Sequence, residues 1–231
     1  MVIILHRTFF WVIVTALGIF MVAVKPTLSQ DAPVFWITWS AESYSDPGYE
    51  GKALPTNNTL INVSFELIQN GKAVTISRDE VRWFLDESPV KDALGVKEFS
   101  FHSTISSGAH SLRIELPGFK GGSSLMKSIQ IPVSSPEVIL DAPYVKNAIT
   151  SQDINLKALP YYFNVTQGGG LIWSWKVNNM SPEKAAGAPN KIKIEIPSGA
   201  PSGSQVFVKV KAVNSIIPDE SAETLALFTT Q

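Results

Sequence analysis

The 231-residue chain has no cysteine. That rules out disulfide staples, a lipid anchor on a lipobox cysteine, thiol catalysis and cysteine-built zinc sites. An exported domain without disulfides must be held by its apolar core alone, which is feasible at about 90–100 residues. Histidine is nearly as scarce, with three residues, His6, His102 and His110. Charge is low and balanced, 19 basic against 20 acidic side chains, with no basic stripe or block. Nucleic acid is therefore disfavoured as a partner. No Gly-x-Ser-x-Gly elbow occurs, and Gly168-Gly169-Gly170 opens a strand pattern rather than a helix, so it is no phosphate cradle. Helical periodicity is missing after the N-terminus, apart from one turn suggested by Ser181–Ala186. No catalytic residues, cofactor or metal are expected.

What is present begins with an apolar N-terminus. Thr8 to Val24 runs without a charge, about 17 residues or roughly 25 Å of helix. No small-x-small cleavage site follows, and Lys25-Pro26 stops the run with a charge that can reach the interface. Residues 1–30 are expected to be a signal anchor, spanning the membrane through residues 8–24; cleavage and secretion is the alternative. Arg7 before the run keeps the N-terminus cytoplasmic and the C-terminal part extracytoplasmic. A pilin-type leader is disfavoured, because no glutamate follows Phe9-Phe10 within the run.

The rest of the chain says the same thing twice. Ile61-Asn62-Val63 is echoed by Ile154-Asn155-Leu156, and Trp83-Phe84-Leu85-Asp86 by Trp175-Lys176-Val177-Asn178. Lys97–Phe101 falls on Lys191–Glu195, so all three matches share an offset of about 93 residues. Short strands with alternating apolar residues recur in each copy, such as Ile61, Val63, Phe65 and Leu67, or Val206, Val208 and Val210. Asn70-Gly71, Ser107-Gly108 and Gly121-Gly122 mark turns. One dry face and one wet face per strand predicts antiparallel sheets packed as sandwiches.

The two tetrapeptides beginning at Trp83 and Trp175 resemble the third-strand signature of bacterial immunoglobulin-like and PKD-like domains, in which Trp-x-Val/Leu-Asp/Asn leads into a turn. The exported region is similar to bacterial membrane-anchored tandem Ig-like (PKD-like or Big-like) proteins. The cysteine pair of antibody domains and the Gly-Asp-Gly that follows the PKD strand are both absent, so the resemblance implies an Ig-like fold and transfers no functional residue. The expected fold is all-β: two tandem immunoglobulin-like β-sandwiches behind an N-terminal transmembrane helix. Residues 31–136 form the first sandwich and 137–231 the second, with Pro132–Pro136 as a short stiff joint.

The copies differ in one place. Asp31-Ala32-Pro33 and Asp141-Ala142-Pro143 lie farther apart than the other matches, which leaves an insert at about residues 41–57 of the first copy. It carries Tyr44 and Tyr49, and insertions on rigid sandwiches are frequent binding surfaces. Trp36 and Trp39, three apart on one strand, point to opposite faces. Trp36, Trp39, Tyr44 and Tyr49 are the candidate binding residues, a stacking platform for glycan or a docking patch for protein. The alternative is that a kinked edge strand buries both tryptophans while the insert caps the sandwich. Tyr161-Tyr162 is a weaker candidate of the same kind. His102 and His110 are expected on neighbouring strands as solvated residues, and Glu137, Asp141 and Asp219 lack the spacing of a calcium shell. The functional expectation is a non-enzymatic envelope protein serving adhesion, spacing or assembly. Its partners would be the membrane and either a protein or a cell-surface glycan. An accessory subunit of a secretion or pilus system and a carbohydrate-binding module are the alternatives.

Overall fold

Alternation decides the faces. In β2 (Leu60–Gln69), Ile61, Val63, Phe65 and Leu67 are buried, while Asn62, Ser64 and Glu66 face out. The computed structural model describes residues 32–150, 153–182 and 188–231. Its first eight strands are β1 (Val34–Ala41), β2, β3 (Lys72–Ala73), β4 (Glu80–Leu85), β5 (Ser88–Leu94), β6 (Glu98–His102), β7 (Gly108–Leu116) and β8 (Leu125–Val133). They make one sheet in the order β1-β2-β3 with β6 also on β2, and a second in the order β5-β4-β7-β8. Seven more follow: β9 (Glu137–Asp141), β10 (Ala148–Ile149), β11 (Asp153–Tyr161), β12 (Leu171–Val177), β13 (Lys191–Glu195), β14 (Gln205–Asn214) and β15 (Ser221–Thr230). The third sheet is β13-β11-β9 and the fourth is β10-β15-β14-β12. All named pairings are antiparallel except β10 with β15. In each half the chain crosses between sheets in the immunoglobulin-like Greek-key manner, so the expected tandem sandwich architecture is present.

Each sandwich has its own core. In the first, Ile61, Phe65 and Leu67 of one sheet meet Trp83, Leu112, Ile114 and Ile131 of the other. A chain of ring contacts runs through it, Phe35–Phe65, Phe65–Trp83 and Trp83–Phe99, each 5.6 Å between centroids. The second core is mostly aliphatic, with Ile154, Leu156, Ile192, Val206 and Val208 around Phe228. A further group, Val138, Ala158, Phe163, Leu171 and Val210, lies beside it. Trp83 is fully buried, whereas Trp175 is only half-buried.

The repeated tetrapeptide has a physical cause visible twice. The Trp83 indole N–H donates to the Val96 carbonyl (3.3 Å), and that of Trp175 to the Pro189 carbonyl (3.0 Å), just before the following β6 and β13. Asp86 and Glu87 both take left-handed backbone (φ 48° and 64°), as do Asn178 and Asn179 (φ 49° and 66°). Two successive left-handed residues make the tight hairpin turn whose twist matches the strands, and Asp or Asn tolerates that conformation. Asp86 Oδ1 then accepts from the Ser111 N–H (2.8 Å), and Asn178 Oδ1 from the Phe207 N–H (2.9 Å). The Trp fixes the core and the Asp/Asn fixes the exit. The motif therefore needs both residues at this spacing.

Two features depart from the expectation. β5 is exposed along nearly its whole length, with Pro89 and no alternation of burial, and it pairs only as an edge on β4. β10 contributes two residues alongside β15. The apolar run at residues 8–24 lies outside the described residues, as does residue 183 onward of the expected turn at Ser181–Ala186. Among the described residues no helix is long and apolar enough to cross a membrane.

Candidate functional site

The insert at residues 41–57 leaves the end of β1 and crosses to the second sandwich. Tyr44 N–H donates to the Phe163 carbonyl (2.7 Å) and Phe163 N–H returns a bond to the Tyr44 carbonyl (3.1 Å), a two-bond antiparallel bridge. Asp46 N–H donates to the Pro160 carbonyl (2.9 Å), and the Lys157 amine pairs with Asp46 Oδ2 at 3.1 Å. Tyr49 and Tyr162 share a hydroxyl–hydroxyl hydrogen bond of 2.8 Å. Tyr162 has left-handed backbone (φ 62°), which interrupts strand alternation, so Tyr161 and Tyr162 both present rings edge-on to Tyr49 at 5.2 and 5.9 Å. Burial first, and then the bond to Tyr49, pushes the Tyr162 hydroxyl up to about 12. A methyl on Gly168 would lie 2.9 Å from the Tyr44 hydroxyl, so any larger residue there would have to displace the end of that side chain.

A second, polar clamp lies where the insert ends. Asn164, just past β11, reaches across to the first sandwich with its whole amide. Its Nδ2 donates to Thr56 Oγ1 (3.1 Å) and the Asn57 carbonyl (2.7 Å), and its Oδ1 accepts from Thr59 Oγ1 (2.5 Å). Glu220 completes the knot. Its carboxylate accepts from the Asn164 N–H (3.0 Å), Asn214 Nδ2 (2.5 Å) and Thr56 Oγ1 (3.0 Å). Thr56, Thr59 and Asn214 are buried. A buried polar network with every member paired fixes one geometry. Beside it lies a cleft of about 360 Å³, lined by hydroxyls of Ser106, Ser134 and Ser135 and by Asp219.

The four candidate binding residues are not brought together. Tyr44 and Tyr49 are joint residues, consumed in the contact between the sandwiches. Trp39 packs half-buried against the first core, with the Lys52 amine of the insert 3.5 Å above its ring. Burial lowers the Lys52 pKa from its ordinary value. Trp36 stands on the opposite face, 68% exposed, as the three-residue spacing predicts. It flanks an open groove of about 640 Å³ lined also by Val34, Ile68, Asn70 and Lys127. The edge strand is not kinked enough to bury both tryptophans, although the insert does cap one of them. Sequence reasoning missed Asn164, Glu220, Thr56, Thr59, Asp46 and Lys157. The clustered Thr56-Asn57-Asn58-Thr59 is their only local signal, and it looks like any polar turn.

The histidines also differ from expectation. β6 and β7 belong to opposite sheets, so His102 and His110 are not neighbours in one sheet. His102 is exposed, with Nδ1 2.9 Å from the Asn58 carbonyl. His110 is fully buried between Asp86 Oδ2 (Nδ1, 2.7 Å) and Ser103 Oγ (Nε2, 3.2 Å). This has the order of an acid–base–nucleophile relay, but Ser103 is itself fully buried and its hydroxyl also donates to the Ile105 carbonyl (3.2 Å). The enclosed hydroxyl offers no approach to a substrate; the trio satisfies buried polar atoms. Among the described residues no group of three or more acidic or histidine side chains could hold a metal ion. Glu137 and Asp141 lie on the outer side of β9, apart from Asp219 in the cleft.

No family model and no curated protein matches the chain. Solved structures do. The chain is similar to the three N-terminal domains of the highly immunogenic outer capsid protein (Hoc) of bacteriophage RB49, at 14% identity and a TM-score of 0.45, over 86% of this chain and 59% of that one. It is similar to the fibronectin(III)-like modules of Clostridium thermocellum CbhA, at 14% identity and a TM-score of 0.29, over 84% of this chain and 93% of that one. The FN1–FN3 domains of chicken CNTN1 are a third example, with 15% identity and a TM-score of 0.31, over 76% and 63% of the two chains.

Proposed function

We propose that the chain is a non-enzymatic, membrane-anchored extracytoplasmic protein serving adhesion, spacing or assembly at a bacterial cell envelope. Residues 8–24 hold the membrane, and the Ig-like units 31–136 and 137–231 project from it. The observation that carries this reading is the joint. The chain between β8 and β9 is only three residues, and two clamps from the insert fix one sandwich on the other. A doubly clamped pair behind an apolar leader gives reach without bending, which suits a strut or presenter. External protease on intact cells without an outer barrier tests it: the two sandwiches should be degraded while a membrane-embedded N-terminal fragment survives. Protection of the sandwiches would refute the placement, and a mature chain lacking residues 1–30 would replace the anchor with secretion.

A carbohydrate-binding role is favoured by one feature, the exposed Trp36 beside its groove. A glycan array on the full chain with Trp36→Ala as control decides it; binding that survives the substitution, or no binding, removes this reading.

A further inference from the structure

The four sheets turn four faces to solvent, and two of these are balanced by ion pairs. On the second sheet Arg82 pairs with Glu80 (2.6 Å) and Asp92 (3.7 Å), and Arg113 with Glu87 (3.2 Å) and Glu115 (3.1 Å). On the third, Lys157 pairs with Asp46 and Lys193 with Asp153, both at 3.1 Å. The other two faces are one-sided, and their signs are opposite.

The first sheet presents Glu42, Glu66 and Glu98 against Lys97, which bonds Glu66 at 2.5 Å, while Lys127 of β8 reaches the edge of the groove beside Trp36. Lys91 reaches Glu98 only at its main-chain carbonyl, from the rim. The fourth sheet presents Lys176, Lys209 and Lys211 around a single Glu223; register places Lys176 beside Lys209, and Lys211 beside Glu223. The Lys209 bond to Glu223 (2.7 Å) and the field of Lys209, Lys211 and Lys176 hold the Glu223 carboxyl below the usual range. Each face also carries bare apolar side chains. Trp36 and Val34 are 68% and 66% exposed on the acidic face, and Leu225 and Ile172 are 61% and 59% exposed on the basic one. Apolar side chains set among charges of one sign are the composition of a docking face. Both faces are open to solvent in the same chain, so they do not meet within it.

We propose that the acidic outer face of the first sheet in one copy docks on the basic outer face of the fourth sheet in another. The pairing is head-to-tail: a bound pair keeps one free face of each sign, and the contact repeats into an open row. A four-stranded face of this length covers on the order of 600 Å², short of the roughly 800 Å² per partner of a stable interface. Association is therefore weak and salt-sensitive in solution, and tethering copies to one surface would raise their effective concentration. This deepens the assembly arm of the function proposed above and rests on it.

Sedimentation velocity of the full chain in non-ionic detergent tests it. The mass should rise with protein concentration at low salt and return to monomer at high salt. Glu66→Lys with Glu98→Lys disables one face, and Lys209→Gln with Lys211→Gln the other. Each variant alone should remain monomeric, with a thermal midpoint lowered only slightly, since Glu66 and Lys209 each lose one partly exposed ion pair and none of the four side chains enters a core. Mixed in equal amounts, the two should stop at dimers, since only one competent face of each sign remains. A chain that is monomeric at every concentration, growth that persists in both variants (as association through the apolar N-terminus would), or a mixture that stays monomeric each overturns the proposal. None of these outcomes bears on protease accessibility, which tests anchorage separately.

Discussion

Replacing Asn164 by Ala should weaken the coupling between the two sandwiches without unfolding either, since the Tyr44–Phe163 bridge and the Thr56–Glu220 bond remain. The side chain makes three hydrogen bonds, to Thr56, Asn57 and Thr59, and every one crosses the joint. At about 0.5–1.5 kcal/mol net for each, the truncation removes roughly 1.5–4.5 kcal/mol of coupling. The lower part of that range applies, because Thr59 Oγ1 keeps the bond from the Thr56 N–H (2.8 Å) and its freed hydroxyl proton can turn to Thr56 Oγ1, 3.1 Å away. Neither core contains Asn164, so the loss falls on the contact and not on the sandwiches. Chemical denaturation of the full chain reads this directly. The parent should unfold in one transition, and in Asn164→Ala that transition should move to a lower midpoint and broaden, with the segment between β8 and β9 cut faster by protease in the folded baseline. A double-mutant cycle with Thr59→Val should show coupling of about 1 kcal/mol, since the two groups share one bond. A variant that unfolds in one transition at the parent's midpoint would refute the assignment of the clamp.

Trp83→Ala should cost about 3–5 kcal/mol as a core truncation, and Trp175→Ala distinctly less, because that ring is half-buried; equal losses by thermal denaturation would contradict the unequal packing. The Tyr162 hydroxyl, raised to about 12 from 10.0, contributes stability that is complete below pH about 10 and is lost as pH climbs through about 12. Absorbance titration of the phenolates should therefore show a late-ionising tyrosine. In Tyr49→Phe it should ionise earlier, though still late, because burial is the larger cause; an unchanged titration would remove Tyr49 as its partner.

How much of this was legible in the chain follows from the range of the forces involved. Strand alternation and the Trp-to-Asp/Asn spacing are local: Trp83 and Asp86, like Trp175 and Asn178, encode a core filler and a left-handed turn within four residues. Those signals were enough for an all-β tandem reading and for the position of most strands. β5 escaped because an exposed edge strand obeys no alternation. The candidate site was harder. Three-residue spacing correctly placed Trp36 and Trp39 on opposite faces, but nothing local said that Tyr44 and Tyr49 would be consumed in a joint.

The sequence by itself determined the alternating strands and the all-β tandem reading, since strand faces and the Trp-to-Asp/Asn turn are written in patterns a few residues long. Only the tertiary structure decided what the insert does and which residues hold the joint. Asn164 meets Thr59 across 105 positions and Glu220 meets Thr56 across 164. Such partners are chosen when two finished surfaces come together, and pairwise polar complementarity at that distance leaves no periodic trace in either segment.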